Sequence, residues 1–328
     1  MDAYLGIDVG SVSTNLVVID EDERVVCSLY RRTKGQPIKA VQDGLRELGG
    51  ILDEPVEIKG AGTTGSARTL SGVICGADIV KNEITAHAIG AVHYDPEVKT
   101  ILEIGGQDSK IILLRDGIVV DFAMNTVCAA GTGSFLDHQA ARLGIPIEEF
   151  GDYALESSKG AQIAGRCTVF AESDMIHKQQ VGYLVEDIIY GLCQALVRNY
   201  LNNLAKGKRI ETPIVFQGGV AANAGIRRAF EESLEKEVRV PEYYGVMGAI
   251  GAAVLAKETV DDGRPTNFSG FEVADRDFKT SSFHCGGCSN NCEVIKIELE
   301  GDLLARWGGR CGKWELEEHP EVSVAADL

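Results

Sequence analysis

The feature that most constrains the fold is an internal repeat, in which one strand–turn–strand segment occurs twice. The first copy is Tyr4–Val26, YLGIDVGSVSTNLVVIDEDERVV, and the second is Thr100–Val120, TILEIGGQDSKIILLRDGIVV. Alignment of Gly10 with Gly105, an offset of 95 residues (105 minus 10), matches an apolar strand ending in glycine, a small polar turn, an apolar strand, an acidic turn and another strand. We therefore predict two halves that each begin with an antiparallel β-meander.

Segments with helical spacing follow the first copy and precede the second. Pro37–Leu52 carries apolar residues three and four positions apart, and Asn82–Val92 has similar spacing. Strands and then helices, in that order and twice over, predict an α/β protein of two domains with a cleft between them. The predicted divisions are residues 1–98 for the first lobe, completed by a helix over 243–260, residues 99–242 for the second lobe, and residues 261–328 for a C-terminal cysteine-rich extension.

Composition excludes several classes of partner. The chain has 328 residues, of which 45% are hydrophobic and 25% charged, and its net charge of -17 comes without a basic block, which argues against nucleic-acid binding. No segment approaches the roughly 20 apolar residues of a membrane span, and the N-terminus lacks the pattern of an export signal. We expect a cytoplasmic protein that does not bind membranes, so its nine cysteines are expected to be thiols, metal ligands or redox groups.

Small residues at the two repeated turns leave backbone N–H groups available to phosphate oxygens. Asp8, at the end of the first strand, is placed to face a metal ion. The predicted phosphate-contacting residues are Gly10, Ser11, Ser13 and Thr14 in the first turn, and Gly105, Gly106, Gln107 and Asp108 in the second. Either turn alone is equally well explained as a tight hairpin turn, whereas the pair favours a polyphosphate site.

A third glycine turn lies in Pro213–Phe230, PIVFQGGVAANAGIRRAF. A buried strand there leads into Gly218 and Gly219, and a helix begins near Asn223, which suits a pocket for adenosine. Tyr243–Ala256, YYGVMGAIGAAVLA, is predicted to be a helix of small residues. Its glycines permit close approach, either in a hinge or in a tightly packed core helix.

The ordered motifs IDVGSVST, IGGQDSK, FQGGVAAN and YYGVMGAIGAA resemble those of the acetate kinase, sugar kinase, Hsp70 and actin superfamily. More narrowly, NTVCAAGTGSFLD around Cys128 and RCTVFAESD around Cys167 resemble the BadF/BadG/BcrA/BcrD activases, which include activators of 2-hydroxyacyl-CoA dehydratases. The resemblance runs from about residue 3 to residue 257, and the cysteine motifs are its most specific part. It implies an actin-like ATPase fold.

The same resemblance implies an activity. ATP use would drive single low-potential electrons from a reduced ferredoxin or flavodoxin to a partner such as a dehydratase, a benzoyl-CoA-type reductase, or a double-cubane or corrinoid-type acceptor. Cys128 and Cys167 would hold a [4Fe-4S] cluster that bridges a homodimer, with two ligands from each copy. Asp8 would organise Mg²⁺ through water, and Gln107 or Asp108 would orient the hydrolytic water.

Each of these cysteines precedes a predicted helix, Gly133–Arg142 in one case and a segment from Phe170 onward in the other. The positive end of a helix dipole stabilises a thiolate and added electron density. A nucleotide-dependent rotation of the lobes would move these helix ends and change the potential of the cluster.

Two positions depart from the family pattern. Asn15 stands where many activases have a lysine after the first phosphate turn, which removes a cation near the phosphates. Glu103 replaces the more usual aspartate before the second turn. Of the other residues with reactive side chains, Cys193 is predicted to lie in the core of a long helix, His87 to be structural, and Cys75 to lie in an apolar loop.

The extension adds a second cysteine motif, in which Cys285, Cys288 and Cys292 are spaced C-x2-C-x3-C and Cys311 follows beyond a predicted hairpin with a turn at Gly301. Four sulfurs in a segment too small for its own core suit a metal. Zinc, a second iron–sulfur cluster, free thiols and an isolated redox pair of cysteines all remain open at this point.

Two functions of other classes compete with the activator. A small-molecule kinase of the same fold would use a carboxylate such as Asp108 to accept the substrate's hydroxyl proton, but it would leave Cys128 and Cys167 without a role. A nucleotide-switched interaction protein would use ATP only to change shape and would need no cofactor.

Overall fold

The computed structural model describes residues 1–52, 56–125, 127–260 and 264–315. Within it the chain divides into two compact units, one formed by Met1–Ala86 with the chain from Gly248 onward, and the other by His87–Met247. The domain limits derived from the sequence stay a prediction. The start of the predicted extension, residues 261–263, lies outside the described residues.

The first unit is built on a five-stranded sheet. Its strands are β1 (Asp2–Val9), β2 (Ser13–Asp20), β3 (Val25–Arg32), β4 (Glu57–Thr64) and β5 (Ile79–Val80), in the order β3-β2-β1-β4-β5. Strand β1 pairs antiparallel with β2 and parallel with β4. The central strands are almost entirely buried, whereas β3 alternates between exposed and half-buried residues because only one of its faces is covered. Helices α1 (Pro37–Ile51) and α2 (Arg68–Cys75) follow β3 and β4, and α3 (Glu83–Tyr94) leads into the second unit.

The second unit repeats this plan. Its strands are β6 (Thr100–Ile104), β7 (Ser109–Arg115), β8 (Ile118–Asn125) and β9 (Ile214–Gln217), in the order β8-β7-β6-β9. Strand β6 pairs antiparallel with β7 and parallel with β9, as β1 does with β2 and β4. The helices are α4 (Gly133–Leu143), α5 (Phe150–Glu156), α6 (Thr168–Gln180), α7 (Val185–Leu204) and α8 (Ala224–Leu234). Helix α7 is the most extensively buried and packs against α5, α6 and α8.

The predicted duplication is confirmed down to the turns. In the first unit the Gly10 N–H donates to the Ser13 carbonyl at 2.8 Å, and in the second the Gly105 N–H donates to the Asp108 carbonyl at 3.0 Å. Both pairs of residues are related by the same offset as the aligned repeats. The fully buried Cys193 also lies in the core as predicted, but Cys75 is the buried last residue of α2 and the prediction of a loop was wrong.

Helix α9 (Met247–Val260) returns to the first sheet at very close range. A Cβ atom added at Gly6 on β1 would overlap the Ala249 carbonyl oxygen and come within 2.7 Å of the Ala253 nitrogen. The small residues of this segment therefore serve tight packing. The helix begins later than the predicted Tyr243, because residues 243–246 form turns closed by a hydrogen bond from the Val246 N–H to the Tyr243 carbonyl at 2.9 Å.

The C-terminal extension forms a three-stranded antiparallel sheet of β10 (Phe278–His284), β11 (Glu293–Leu299) and β12 (Asp302–Trp307). The hairpin predicted at Gly301 joins β11 and β12, whereas β10 was not predicted because most of its residues are polar and exposed. A short 3₁₀ turn before β10 is tied to α1, where Arg46 donates to Asp275 at 2.9 Å and to the Ala274 carbonyl at 2.7 Å. The extension is thus anchored on the first unit.

We predict that Gly6→Ala lowers the free energy of unfolding by roughly 2–3 kcal/mol or more, because the added methyl group overlaps the backbone of α9. Gly50→Ala is the matched control, since it lies in α1 with no atom within 4 Å of an added Cβ. It should raise the same free energy by about 0.5 kcal/mol through helix propensity. Urea unfolding of both variants measures the difference, and equal stabilities would contradict the close approach.

Candidate functional site

The first glycine turn is fixed by hydrogen bonds from Thr33, the residue that follows β3. The Thr33 hydroxyl donates to the Gly10 carbonyl at 2.9 Å, and the Thr33 N–H donates to the Val12 carbonyl at 2.8 Å. Ser11 is exposed and Ser13 is half-buried, so both are accessible to a ligand. Thr14 is fully buried, and its hydroxyl pairs with that of Thr33 at 3.0 Å. Thr14 therefore stabilises the turn from inside the protein and does not lie on the surface of the turn.

Asp8 lies at the end of β1, directly before this turn, and is 9% exposed. In the sheet it stands opposite Asn15 on β2 and opposite Thr64 on β4. Residues in register on neighbouring strands share one face, so the three side chains form a polar row across the sheet. The Asn15 Oδ1 and Thr64 Oγ1 atoms are buried without a hydrogen-bond partner among the described residues. Buried oxygen atoms of this kind indicate a place for water or a hydrated cation.

A glycine keeps the space beside Asp8 open. Gly65, which follows β4, has a φ of +89°, which L side chains rarely adopt. A Cβ atom there would come within 2.5 Å of the Asp8 Oδ1 atom and of the Val9 carbonyl oxygen. Sequence inspection missed both Gly65 and Thr64, although the register of β4 beside β1 places them at this point.

The second glycine turn rests on the first turn of α4. The Gly133 N–H donates to the Gly105 carbonyl at 2.9 Å, and the Ser134 N–H donates to the Gly106 carbonyl at 2.8 Å. These N–H groups at the start of a helix would otherwise lack partners, so the helix fixes the turn. Gln107 is exposed at the tip of the turn.

A buried ion cluster lies beneath this turn. The Lys110 ammonium group donates to the Glu103 carboxylate at 2.9 Å and to the Asp108 carboxylate at 2.8 Å, and only 2% of the Lys110 side chain is exposed. Burial of an ammonium group requires such partners, because an unpaired charge would carry a large desolvation cost. The Asp108 Oδ2 atom is thus engaged within the protein, and Gln107 is the freer of the two predicted water-orienting residues.

The two units differ in the residue that faces the carboxylate on their first strand. Glu103 stands opposite Lys110 across β6 and β7, and the offset of 95 residues maps this pair onto Asp8 and Asn15 across β1 and β2. The first unit therefore has a neutral amide where the second has an ammonium group. The amide oxygen of Asn15 lies buried without a partner among the described residues.

The third glycine turn packs tightly against the end of β6. Gly218 has a φ of +89°, and a Cβ atom there would come within 2.7 Å of the Glu103 Oε1 atom. After one 3₁₀ turn that starts at the exposed Gly219, Asn223 caps α8, where its Oδ1 atom accepts the Ile226 N–H at 3.1 Å. The Asn223 Nδ2 atom is buried without a partner among the described residues.

His87 contacts the residue that precedes this turn. Its Nδ1 atom lies 2.9 Å from the Nε2 atom of Gln217, the residue that precedes Gly218. Burial, and to a lesser extent the charge of Lys110, lowers the pKa of His87 to about 3. The imidazole is neutral at pH 7 and accepts this hydrogen bond, in accord with the predicted structural role.

Cys128 is presented by a loop that an asparagine clamps. The Asn125 side chain accepts the Cys128 N–H at 2.9 Å and donates to the Cys128 carbonyl at 2.8 Å, so both backbone groups of the cysteine are fixed by one side chain. The thiol is half-exposed, and a 3₁₀ turn starts directly after it at Ala129. Thr126 of the same motif lies outside the described residues.

Cys167 is the N-cap residue of α6 and is also half-exposed. The loop before it lies against α7, where the Asn199 Nδ2 atom donates to the Gly165 carbonyl at 2.6 Å. The Oδ1 atom of the same asparagine lies 2.9 Å from the position of a Cβ at Gly131, in the loop that follows Cys128. Asn199 therefore contacts both cysteine loops, which sequence inspection had not indicated.

Large apolar side chains flank the two cysteines. Val127 is 94% exposed, Val169 66% and Phe170 65%. Val127 directly precedes Cys128 in the chain, and Val169 and Phe170 follow Cys167 closely, so exposed apolar side chains lie in sequence beside both thiols. By contrast, no group of three or more histidine, cysteine or carboxylate side chains is gathered as a metal site in the described part of the chain. None of the helices described there is long and apolar enough to cross a membrane.

Comparisons of the sequence and of the structure with known proteins find relatives of one family. The BadF/BadG/BcrA/BcrD ATPase family matches residues 5–256. The (R)-2-hydroxyglutaryl-CoA dehydratase activating ATPase of Acidaminococcus fermentans is 35% identical over 77% of this chain and 96% of its own length. The 2-hydroxyisocaproyl-CoA dehydratase activator of Clostridioides difficile is 34% identical over 77% of this chain and 94% of its own. The solved structure of the activator of that dehydratase from Clostridium difficile, with bound ADPNP, has a TM-score of 0.72, with 32% identity over 80% of this chain and 96% of the solved one.

We predict that Asn199→Ala loosens the loop of Cys167, because the Gly165 carbonyl loses its buried donor at a cost of about 1–3 kcal/mol. Alkylation of Cys167 in metal-free protein, followed by mass spectrometry, should become several-fold faster than in the unaltered chain. Asn202→Ala, an exposed position on the same helix, should leave the rate unchanged. Equal rates in all three proteins would show that Asn199 does not hold the loop.

Proposed function

Because the chain belongs to the BadF/BadG/BcrA/BcrD ATPase family, we propose that it is an ATP-hydrolysing activator that passes single low-potential electrons to a partner iron–sulfur enzyme. The predicted duplicated fold of the actin-like ATPases, with a small β-module at its C-terminus, is confirmed. The donor is a ferredoxin or flavodoxin, and the acceptor resembles the acyl-CoA dehydratases or the double-cubane enzymes. The observation that carries this proposal is the presence of two half-exposed cysteines, each fixed before a helical turn, on an ATPase scaffold.

The nucleotide is assigned to the glycine turns. Backbone N–H groups near Gly10, with Ser11 and Ser13, contact phosphate oxygens, and those near Gly105 and Gly106 do the same in the second unit. The Gly218–Gly219 turn and Asn223 serve the adenosine, a role supported by the buried Asn223 Nδ2 atom that has no partner among the described residues.

A hydrated Mg²⁺ is assigned to Asp8. The residues present fit this ion, because Asp8 stands in a row with two buried oxygen atoms, from Asn15 and Thr64, that lack partners among the described residues. Carboxylate, amide and hydroxyl oxygens suit Mg²⁺, which usually keeps several of its waters. The residue opposite Asp8 in the sheet is the neutral Asn15, so the row places further oxygen atoms beside the carboxylate. Gln107 orients the hydrolytic water, and Asp108 fixes the turn that carries it.

Cys128 and Cys167 are assigned to a [4Fe-4S] cluster. The cluster supplies a one-electron carrier of low potential when bound. One chain offers two thiolates here, whereas such a cluster requires four, so a second copy related by a twofold axis completes the ligand set. The exposed Val127, Val169 and Phe170 fit this arrangement, because a second copy would cover them.

The protein's own groups position the two cysteines. Cys167 is the N-cap residue of α6 and Cys128 directly precedes a 3₁₀ turn, so both are presented at the start of a helical segment. Asn125 and Asn199 keep the two loops in place.

A small-molecule kinase of the same fold fits these residues less well. Asp108 would have to accept a substrate proton, but its Oδ2 atom already accepts a hydrogen bond from the buried Lys110. A nucleotide-switched interaction protein would leave unexplained the two fixed, half-exposed thiols.

We predict that Asp8→Asn lowers the kcat of ATP hydrolysis roughly 100-fold or more, because the charge that organises the cation is removed while the side chain keeps its size. Asp2→Asn is the control, since it is the same change at the other end of β1, where the Asp2 carboxylate lies 3.8 Å from the Lys59 ammonium group. Its kcat should stay unchanged. Steady-state phosphate release as a function of Mg²⁺ concentration measures both, and full activity of Asp8→Asn would refute the assignment.

We predict about four irons per dimer in protein prepared anaerobically, and an EPR signal of the dithionite-reduced form that changes on addition of Mg-ATP. Cys128→Ala should lose the iron and the signal, whereas Cys27→Ala, at a half-buried thiol on β3, should keep both. Absence of iron after anaerobic reconstitution would favour the kinase or the switch. Retention of the iron in Cys128→Ala would place it at other cysteines.

A further inference from the structure

The C-terminal sheet brings four cysteines to one of its ends. The pairing of His284 with Glu293 places the loop that carries Cys285, Cys288 and Cys292 beyond the end of β10 and the start of β11. Strand β12 runs antiparallel to β11 and ends at Trp307, opposite Ile295, so the segment with Cys311 leaves the sheet at the same end. Strand direction alone therefore gathers the four positions.

Hydrogen bonds and ring contacts hold these segments together. The Cys285 N–H donates to the Cys292 carbonyl at 2.8 Å, which places these two residues directly opposite each other across the hairpin. The Asn291 N–H donates to the Cys288 carbonyl at 3.2 Å and closes a turn between them. The ring centroids of Phe283 and Trp314 lie 5.0 Å apart, so the segment after β12 folds back over the end of β10.

This end of the sheet has no hydrophobic core of its own. No side chain of residues 279–293 or 308–315 is buried. The buried side chains of the extension's sheet are Phe278, Val294 and Ile297, and the first and last of these belong to the core of the first unit. A loop end of this size usually needs a disulfide or a metal to stay ordered.

We propose that Cys285, Cys288, Cys292 and Cys311 bind one Zn²⁺ ion as four thiolates in a closed structural site. With Zn–S bonds of about 2.3 Å in tetrahedral geometry, the sulfur atoms lie roughly 4 Å apart. The side chains of residues directly opposite in an antiparallel pair start about 4.5–5.5 Å apart at Cβ, so Cys285 and Cys292 can ligate one ion. This spacing fits a single ion better than the larger span of a four-iron cluster.

The backbone places the four cysteines at one end of the sheet, and metal binding requires only that their side chains turn toward one another. The sulfur atoms are not gathered among the described residues, but all four side chains are exposed or half-exposed and can turn about χ1. Binding releases the thiol protons and leaves a site with two net negative charges, since four thiolates surround one divalent cation. Lys313, whose Nζ atom lies 3.8 Å from the position of a Cβ at Gly287, provides a nearby positive charge.

The test uses the full chain carrying Cys128→Ser and Cys167→Ser, so that iron at those positions does not contribute. Elemental analysis should find about one zinc and no iron per chain. Cys288→Ser and Cys311→Ser, each added separately, should lose most of this zinc, and Cys27→Ser should retain it.

Hydrogen exchange supplies a second readout that does not depend on ATPase activity. Removal of zinc by a chelator should speed exchange of the amides in residues 283–293 and leave those of β1 unchanged. Iron in place of zinc, zinc that persists in Cys288→Ser and Cys311→Ser, or the absence of zinc after reconstitution would each overturn the proposal. Because the four cysteines lie apart from Cys128 and Cys167 in the chain, each of these outcomes leaves the proposed activator function intact.

Discussion

The ion cluster centred on Lys110 is the interaction on which the second unit depends. Its ammonium group is buried between Glu103, at the end of β6, and Asp108, in the glycine turn. The Lys110 carbonyl in turn accepts the hydroxyl of Tyr200 on α7 at 2.5 Å. The neighbouring Asn199 contacts both cysteine loops, so β7 and α7 connect the turn to the segments that carry Cys128 and Cys167.

In the first unit the offset of 95 residues puts Asn15 in the place of Lys110 and Ser13 in the place of Asp108, so two of the three members of this cluster are replaced by neutral residues. Asn15 occupies the place of Lys110, and the row formed by Asn15, Asp8 and Thr64 keeps oxygen atoms where the second unit keeps an ion pair. An ammonium group opposite Asp8 would compete with a cation for the same carboxylate. The two sheets share the pairing of their central strands, and the neutral residues in place of Lys110 and Asp108 distinguish the polar row of the first unit from the ion cluster of the second.

Much of the fold could be predicted, because it depends on regular patterns. The repeat predicted both meanders, and the glycine turns marked the ends of strands where backbone groups approach closely. Residues whose role depends on packing between distant segments left no such signal. Asn199 looks like any polar residue of a helix until α7 is packed against the loops that hold Gly131 and Gly165. The register between β1 and β4, which reveals Thr64, also requires the parallel pairing to be known.

The proposed cluster would link metal binding to assembly, because each chain would contribute only two of its cysteine ligands. If Cys128 and Cys167 supply half of the ligands, the free energy of cluster binding is available only to a pair of chains, and the dimer and its cluster stabilise each other by mass action. Loss of the cluster would then expose Val127, Val169 and Phe170 to water again. Because exposure of apolar side chains to water is unfavourable, these three residues would also favour reassociation of the two copies.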